Sequence, residues 1–215
     1  ILFTACAGPP ELDKDQDNDN DNDKYTDDTD TDTDTDTDTD TPTDLDTDSN
    51  WGAPSNTWDS STPPNDLVGE GFSVGDVVPD CRLQDQFGDE VSFWQFYGDV
   101  LVIDILAMWC GPCQEMAVSV PSLQSAFGAE GFTYVTVVAQ DVAGEAPSQD
   151  DLVAWATGFG ISSPILADSV SGCTAAAINS GQYPELLVID REMKVLQAHN
   201  LVDMAVLEEA IADAL

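Results

Sequence analysis

The chain has 215 residues, with 42 Asp or Glu against five Lys or Arg and a formal net charge of -37. No basic patch is available to displace counterions from a phosphate backbone, which argues against nucleic acid as a partner. A surface of this sign favours solubility and repels anionic partners and lipid headgroups at low salt.

The first residues, "ILFTAC", have the look of the end of an apolar signal segment, with the small Ala5 before Cys6. The chain starts at Ile1 with no Met, so it is read as a fragment of a longer precursor. The segment resembles a bacterial lipobox, although Phe3 stands where that pattern usually has Leu, and Leu2 lies one place too early. The expectation is that residues 1–6 are the remnant of a lipoprotein signal and that Cys6 carries the lipid that anchors the chain to a membrane. Nothing else in the sequence is long and apolar enough to span a bilayer.

From Glu11 to Asp66 there are 20 acidic residues and two lysines, a net of -18, and almost no aliphatic residue. Such a segment cannot bury a core, so residues 7–66 are expected to be a disordered acidic linker. Its alternating Asp/Asn and Asp/Thr runs begin as calcium loops begin. Asp13 to Lys24 nevertheless lacks the turn glycine and the closing Glu of such a loop, so the reading is a solvated spacer stiffened by its own charge. As a random coil it would reach about 40 Å. Trp51 and Trp58 close the linker with no evident purpose.

Residues 67–215 contain 22 acidic and three basic residues, a net of -19, and regular apolar runs sufficient for one core. "PDCRLQDQFGDEVSFWQF" reads as two short strands around a turn at Gly88, followed by a helical turn. "DVLVIDILAMW" is a continuous apolar run, the mark of a buried central strand. "GPCQEMAVSVPSLQSAFGAEG" reads as a helix that Pro121 kinks and that stops near Gly128–Gly131. "FTYVTVVAQD" is a second buried strand. "SQDDLVAWATGFG" is a helix capped by Ser148, with acids in its first turn. A short strand "SPILAD" and a short helix "CTAAAINSG" follow. "PELLVIDREMKVLQAHN" reads as a hairpin turning at Arg191–Met193, and "DMAVLEEAIADAL" as a closing amphipathic helix. Alternating strands and helices of this kind make an α/β fold with a mixed sheet.

Chemistry concentrates in "ILAMWCGPCQEM". Trp109-Cys110-Gly111-Pro112-Cys113 follows an apolar strand and opens a helix. This resembles the thioredoxin active-site motif. The span from about Gly71 to the C-terminus resembles the TlpA/ResA branch of the redoxins (the AhpC-TSA superfamily), membrane-tethered thiol–disulfide oxidoreductases of the bacterial envelope. The resemblance implies a thioredoxin-like fold, a central mixed sheet flanked by helices, with an N-terminal β-hairpin extension and an insertion before a cis-proline. About forty residues separate "FTYVTVVAQ" from Pro184, room for the extra strand and helix of that branch.

The resemblance also implies roles. Cys110 and Cys113 would form the redox-active disulfide, with Cys110 at a helix N-terminus that favours its thiolate and Cys113 resolving the mixed disulfide. Asp104, six residues before Cys110 on the central strand, would exchange the Cys113 proton, and burial would raise its pKa. Trp109 would complete the motif. Pro184 would be cis, and Tyr183 would offer its backbone to an extended substrate strand. One departure is that Met116 stands where ResA-like proteins carry Glu, with Glu115 before it, which makes the site more like a general thioredoxin.

The expected function is therefore disulfide exchange on envelope proteins, in the reducing direction, with no cofactor and no metal. The partners would be protein disulfides or dithiols, an unidentified electron donor, and a membrane reached through the lipid anchor, with the domain facing the periplasm or exterior. Alternatives remain. A copper carrier of the same fold would use CxxxC and a His before the strand that starts at Pro184, whereas the only histidine, His199, comes after it and reads as a strand-end residue. Zinc needs four ligands, and no second CxxC is present. A peroxiredoxin-type peroxidase would place a lone cysteine after Pro and Thr. A binding domain that has lost catalysis fits poorly with intact Asp104, Trp109, Cys110, Cys113 and Pro184. Cys81 and Cys173 are left over, and the sequence allows either a structural disulfide or two buried thiols.

Overall fold

The structure is a computed structural model that describes residues 51–178, 181–200 and 203–215. The lipobox, Cys6 and the Asp-rich runs lie outside the described residues.

The first two strands, β1 (Arg82–Asp85) and β2 (Glu90–Ser92), form a hairpin. Its turn places Gly88 at φ 84°, a conformation that favours glycine, and Asp85 Oδ1 accepts from the backbone N–H groups of Phe87 and Asp89. A 3-10 turn over Phe93–Phe96 leads into β3 (Val100–Ala107), every residue of which is buried. Helix α1 (Gly111–Ala117) and helix α2 (Val120–Phe127) follow. They occupy the stretch expected to be one kinked helix. Pro121 has no N–H to offer the carbonyl of Ala117, and its ring clashes with that carbonyl, so the chain breaks at Val118–Ser119 and restarts.

Next come β4 (Phe132–Gln140) and α3 (Gln149–Phe159). Ser148 caps α3 as the sequence indicates. Its hydroxyl accepts from the Asp151 N–H, and the Asp151 carboxylate accepts first from the Ser148 hydroxyl and also from the Ser148 N–H, which together hold the Asp151 carboxyl below its usual range. The strand β5 (Ile165–Ala167) and a 3-10 turn over Cys173–Ala177 complete the insertion. The strands β6 (Glu185–Ile189) and β7 (Val195–His199) form the final hairpin, and α4 (Met204–Ala214) ends the chain.

The seven strands form one mixed sheet in the order β2-β1-β5-β4-β3-β6-β7. The β3–β4 and β4–β5 pairs are parallel and the remaining pairs antiparallel. Alternation along β3 sorts its side chains between two cores. Val100, Val102 and Leu106 join a core with residues of α1, α2, α3 and α4. Leu101, Ile103 and Ile105 join the opposite core with Val91, Phe93, Phe96 and the segment before β1. This is the thioredoxin-like architecture, with its hairpin extension and its insertion between β4 and the cis-proline, that the resemblance implied.

Residues 51–66, assigned above to the linker, lie against the hairpin. Trp51 Nε1 donates to Asp80 Oδ2 at 3.0 Å and Trp58 Nε1 to Asp85 Oδ2 at 2.7 Å. The Trp58 ring meets Phe87 at 5.8 Å, and Ser61 N–H donates to the Gln95 carbonyl. Those contacts give the two tryptophans a purpose.

Candidate active site

The site stands where β3 ends. Met108 N–H donates to the Gln140 carbonyl at the end of β4, which fixes the exit of the chain from the sheet. Cys110 is then the N-cap of α1, with Pro112 in the first turn, where its missing N–H leaves no bond unmade. Cys110 and Cys113 form a disulfide with Cα atoms 5.3 Å apart. The Cys113 N–H points at Cys110 Sγ, 3.2 Å away. When the bond is reduced, that donor and the start of the helix favour a thiolate at Cys110. Cys110 is 4% exposed and Cys113 0%, so Cys110 is the nearer of the two to the surface.

The Tyr183–Pro184 peptide is cis, and the Tyr183 carbonyl oxygen lies 3.5 Å from Cys110 Sγ. The backbone just before β6 thus sits against the Cys110 sulfur. Trp109 is 53% exposed, its indole N–H donates to Gln140 Oε1 at 3.2 Å, and its ring meets Tyr183 edge-on at 5.9 Å. Burial, and secondarily the charge of Asp168, raises the Tyr183 phenol pKa. Asp104 is fully buried at the centre of β3. Burial pushes its carboxyl up to about 7, against a smaller lowering by the hydrogen bond that Tyr134 donates to its Oδ2 at 3.0 Å.

The structure therefore gathers Trp109, Cys110, Cys113, Tyr183 and Pro184 at one end of the sheet, with Asp104 beneath in the core that also holds Cys113. His199 ends β7 and its ring pairs with Gln197 Oε1 at 2.9 Å. Met116 is buried and Glu115 exposed. Among the described residues, no group of three or more His, Cys, Asp or Glu is placed to hold a metal ion.

The sequence reading passed over three residues. Gln140 anchors Trp109. Tyr134 bonds Asp104, and the signal for it was a phenol inside a buried run, because a buried hydroxyl needs a partner. Glu185, buried directly after Pro184, accepts a hydrogen bond from Asn200, and burial raises its pKa. The open question on the remaining cysteines is also answered. Cys81 and Cys173 are bonded, with Cα atoms 5.7 Å apart, and they tie the segment before β1 to the 3-10 turn that precedes the cis-proline loop.

A thioredoxin-like sheet with a dithiol–disulfide pair at a helix start, facing a cis-proline, defines a thiol–disulfide oxidoreductase. More narrowly, the chain belongs to the Redoxin family, whose model matches residues 73–215. It is 24% identical over 129 residues to the thioredoxin-like protein YneN of Bacillus subtilis, spanning 60% of this chain and 72% of that one. Among solved structures it is similar to a thiol:disulfide interchange protein from Bacteroides sp., with a TM-score of 0.57 at 18% identity over 66% of this chain and 90% of that one. A secreted thiol-disulfide isomerase from Corynebacterium glutamicum gives a TM-score of 0.54 at 17% identity, over 62% and 83% of the two chains. At these identities the structural likeness concerns the fold.

Proposed function

We propose that this redoxin exchanges disulfides on extracytoplasmic proteins through Cys110 and Cys113, in the reducing direction. The observation that carries the reading is the Cys110–Cys113 disulfide lying under the Tyr183 carbonyl beside a cis-proline. An extended substrate can pair with the backbone at Tyr183 and present its own disulfide to Cys110. The Cys110 thiolate attacks one substrate sulfur and expels the other, forming a mixed disulfide. Cys113 loses its proton to Asp104 and attacks Cys110 Sγ, which closes the Cys110–Cys113 bond and releases the second substrate thiolate. Two electrons pass to the substrate, and an external dithiol must restore the pair. A carboxyl titrating near 7 can both take and return a proton at neutral pH, which supports Asp104 in this role.

An extracytoplasmic site is supported by the Cys81–Cys173 bond, since such disulfides persist in oxidising compartments. No described helix is long and apolar enough to cross a membrane. Attachment to a membrane is assigned to a lipid on Cys6, with residues 7–66 as the tether over most of their length.

The test is trapping. Incubated reduced with a disulfide-bonded protein, the Cys113→Ser variant should accumulate a mixed disulfide at Cys110, seen by mass. Cys110→Ser should form none and should lose more than about 99% of turnover, because no second thiol reaches the surface. Turnover that survives Cys110→Ser sinks the reading.

A further inference from the structure

On β3 and β4, the core beneath the cysteines contains three polar side chains, and α3 adds the indole N–H of Trp155. Asp104 and Thr136 are direct partners across the parallel pair, and Tyr134, two residues before Thr136, shares their face. All three are buried. The Tyr134 hydroxyl donates to Asp104 Oδ2 at 3.0 Å. Asp104 Oδ1 and Thr136 Oγ1 have no hydrogen-bond partner among the described residues. Cys113 is a member of the same core and is fully buried.

The two carboxylate oxygens are therefore not equivalent. Oδ2 is held by a phenol that can only donate to an ionised carboxylate, while Oδ1 has its lone pairs free. A phenylalanine at position 134 would fill nearly the same volume, so the hydroxyl is the part of the side chain that packing does not require. Burying it costs free energy unless it is bonded, and Asp104 is the partner it has found.

We propose that Tyr134 is a positioning residue of the exchange reaction, pinning Asp104 through Oδ2 so that Oδ1 takes and returns the Cys113 proton. The inference rests on the reading of Asp104 as the base for Cys113. In the resolving step Oδ1 gains the proton that Cys113 Sγ loses, Cys113 Sγ bonds to Cys110 Sγ, and the bond from Cys110 to the substrate sulfur breaks with its electron pair leaving on the substrate. The acid at Oδ1 then returns its proton to that thiolate or to water.

Few other groups can shape this titration. From α1 the titratable residues of this core are Cys110 and Cys113, from β4 Tyr134, and from the loop before β6 Tyr183, which packs against its edge. The residues that β6, α3 and α4 bring to it are apolar or, for Trp155, uncharged. Glu185 on β6 pairs with Ile105 and so belongs to the other face, and His199 lies two strands away in the Asp104 row.

The experiment is single-turnover reduction of a peptide with one intramolecular disulfide by the full chain, followed from pH 5 to 9 in the wild type and in Tyr134→Phe, Asp104→Asn and Thr136→Val. Losing a donor that favours the carboxylate should move the inflection of the resolving step upward by about one pH unit in Tyr134→Phe, and slow that step about fivefold at pH 7. Alkylation of Cys110 in the reduced protein should be unchanged, which reports an intact fold. Thr136→Val should leave both the rate of the resolving step and its inflection close to wild type, since Thr136 Oγ1 makes no bond to the carboxylate.

If Asp104→Asn abolishes the inflection while Tyr134→Phe leaves it in place, the phenol only fills space and the proposal is overturned, with the base reading intact. If Asp104→Asn leaves the inflection, the base reading and the proposal both fail. A Thr136→Val profile shifted as far as that of Tyr134→Phe overturns the assignment of the shift to the phenol. An infrared difference titration of the wild type against Asp104→Asn reads the same contact without altering Tyr134. A protonated carboxyl with its C=O stretch at a hydrogen-bonded frequency is expected, and one at a free frequency contradicts the proposal.

Discussion

Asp104 sits where a carboxylate is hardest to ionise, and stability must register that. Its folded pKa of about 7 lies above the unfolded value of about 3.9. Between those values the native chain holds a proton that the unfolded chain has released. Stability from this group is therefore full below about pH 4, falls as pH rises through 7, and stays reduced above it, by a total on the order of 4 kcal/mol. Asp104→Asn should accordingly gain on wild type by roughly that amount between pH 4 and pH 8, measured by urea unfolding. A difference that is flat with pH contradicts the buried, proton-holding Asp104. This residue was legible in the sequence because an acid interrupts the apolar run "VLVIDILAM". Tyr134 was not, because a tyrosine within "FTYVTVV" is also an ordinary strand residue, and its bond to Asp104 depends on the parallel register of β3 and β4. Tyr183 and Pro184 were found through family resemblance, since no local pattern distinguishes a proline that faces a cysteine from one that merely starts a strand.

At the level of elements, strands and helices followed from periodicity and capping, as at β3, α3 and the β6–β7 hairpin. Features that join distant parts of the chain did not. The Cys81–Cys173 bond closes a loop of 92 residues, and the sequence could not supply the Cα distance that decides such a bond. Replacing both cysteines with alanine should lower unfolding stability by about 4 to 5 kcal/mol on the chain-entropy account. It should leave the Cys110–Cys113 bond able to form, read by the unfolding midpoint and by thiol mapping. No loss of stability would mean that the bond constrains nothing in the unfolded chain. Residues 51–66 have the Gly, Pro, Ser and Asn content of a linker, and what holds them is a pair of indole N–H groups that reach carboxylates 29 and 27 positions away. A chain beginning at residue 67 should therefore unfold at lower denaturant than one beginning at 51, by about 2 to 4 kcal/mol for two hydrogen bonds to charged groups and the ring contact. Equal midpoints would show that the segment adds nothing to the fold.

Across the whole molecule, charge and chemistry are separated. Residues 67–215 have only three basic side chains. Arg82 is engaged by Asp80 and Glu90. Arg191 binds the carbonyls of Gly98, Glu130 and Leu215 at the end of the sheet remote from the cysteines, and Lys194 lies on the same hairpin. The redox pair therefore works in a strongly acidic molecule with no cation beside it among the described residues. Its thiolate depends on the start of α1 and the Cys113 N–H instead of on a neighbouring positive charge.

The central claim is that Cys110 and Cys113 are a reversible two-electron couple, and a redox titration tests it most directly. The full chain would be equilibrated in glutathione buffers, its thiols trapped, and each cysteine assigned by peptide mass. The account predicts one cooperative transition confined to Cys110 and Cys113, absent from Cys110→Ser, with a midpoint near about -270 mV as expected of a reductant. Cys81 and Cys173 should stay bonded throughout. A midpoint near about -120 mV would reverse the direction assigned to the reaction. Failure of Cys110 and Cys113 to pair at any potential would contradict the account itself.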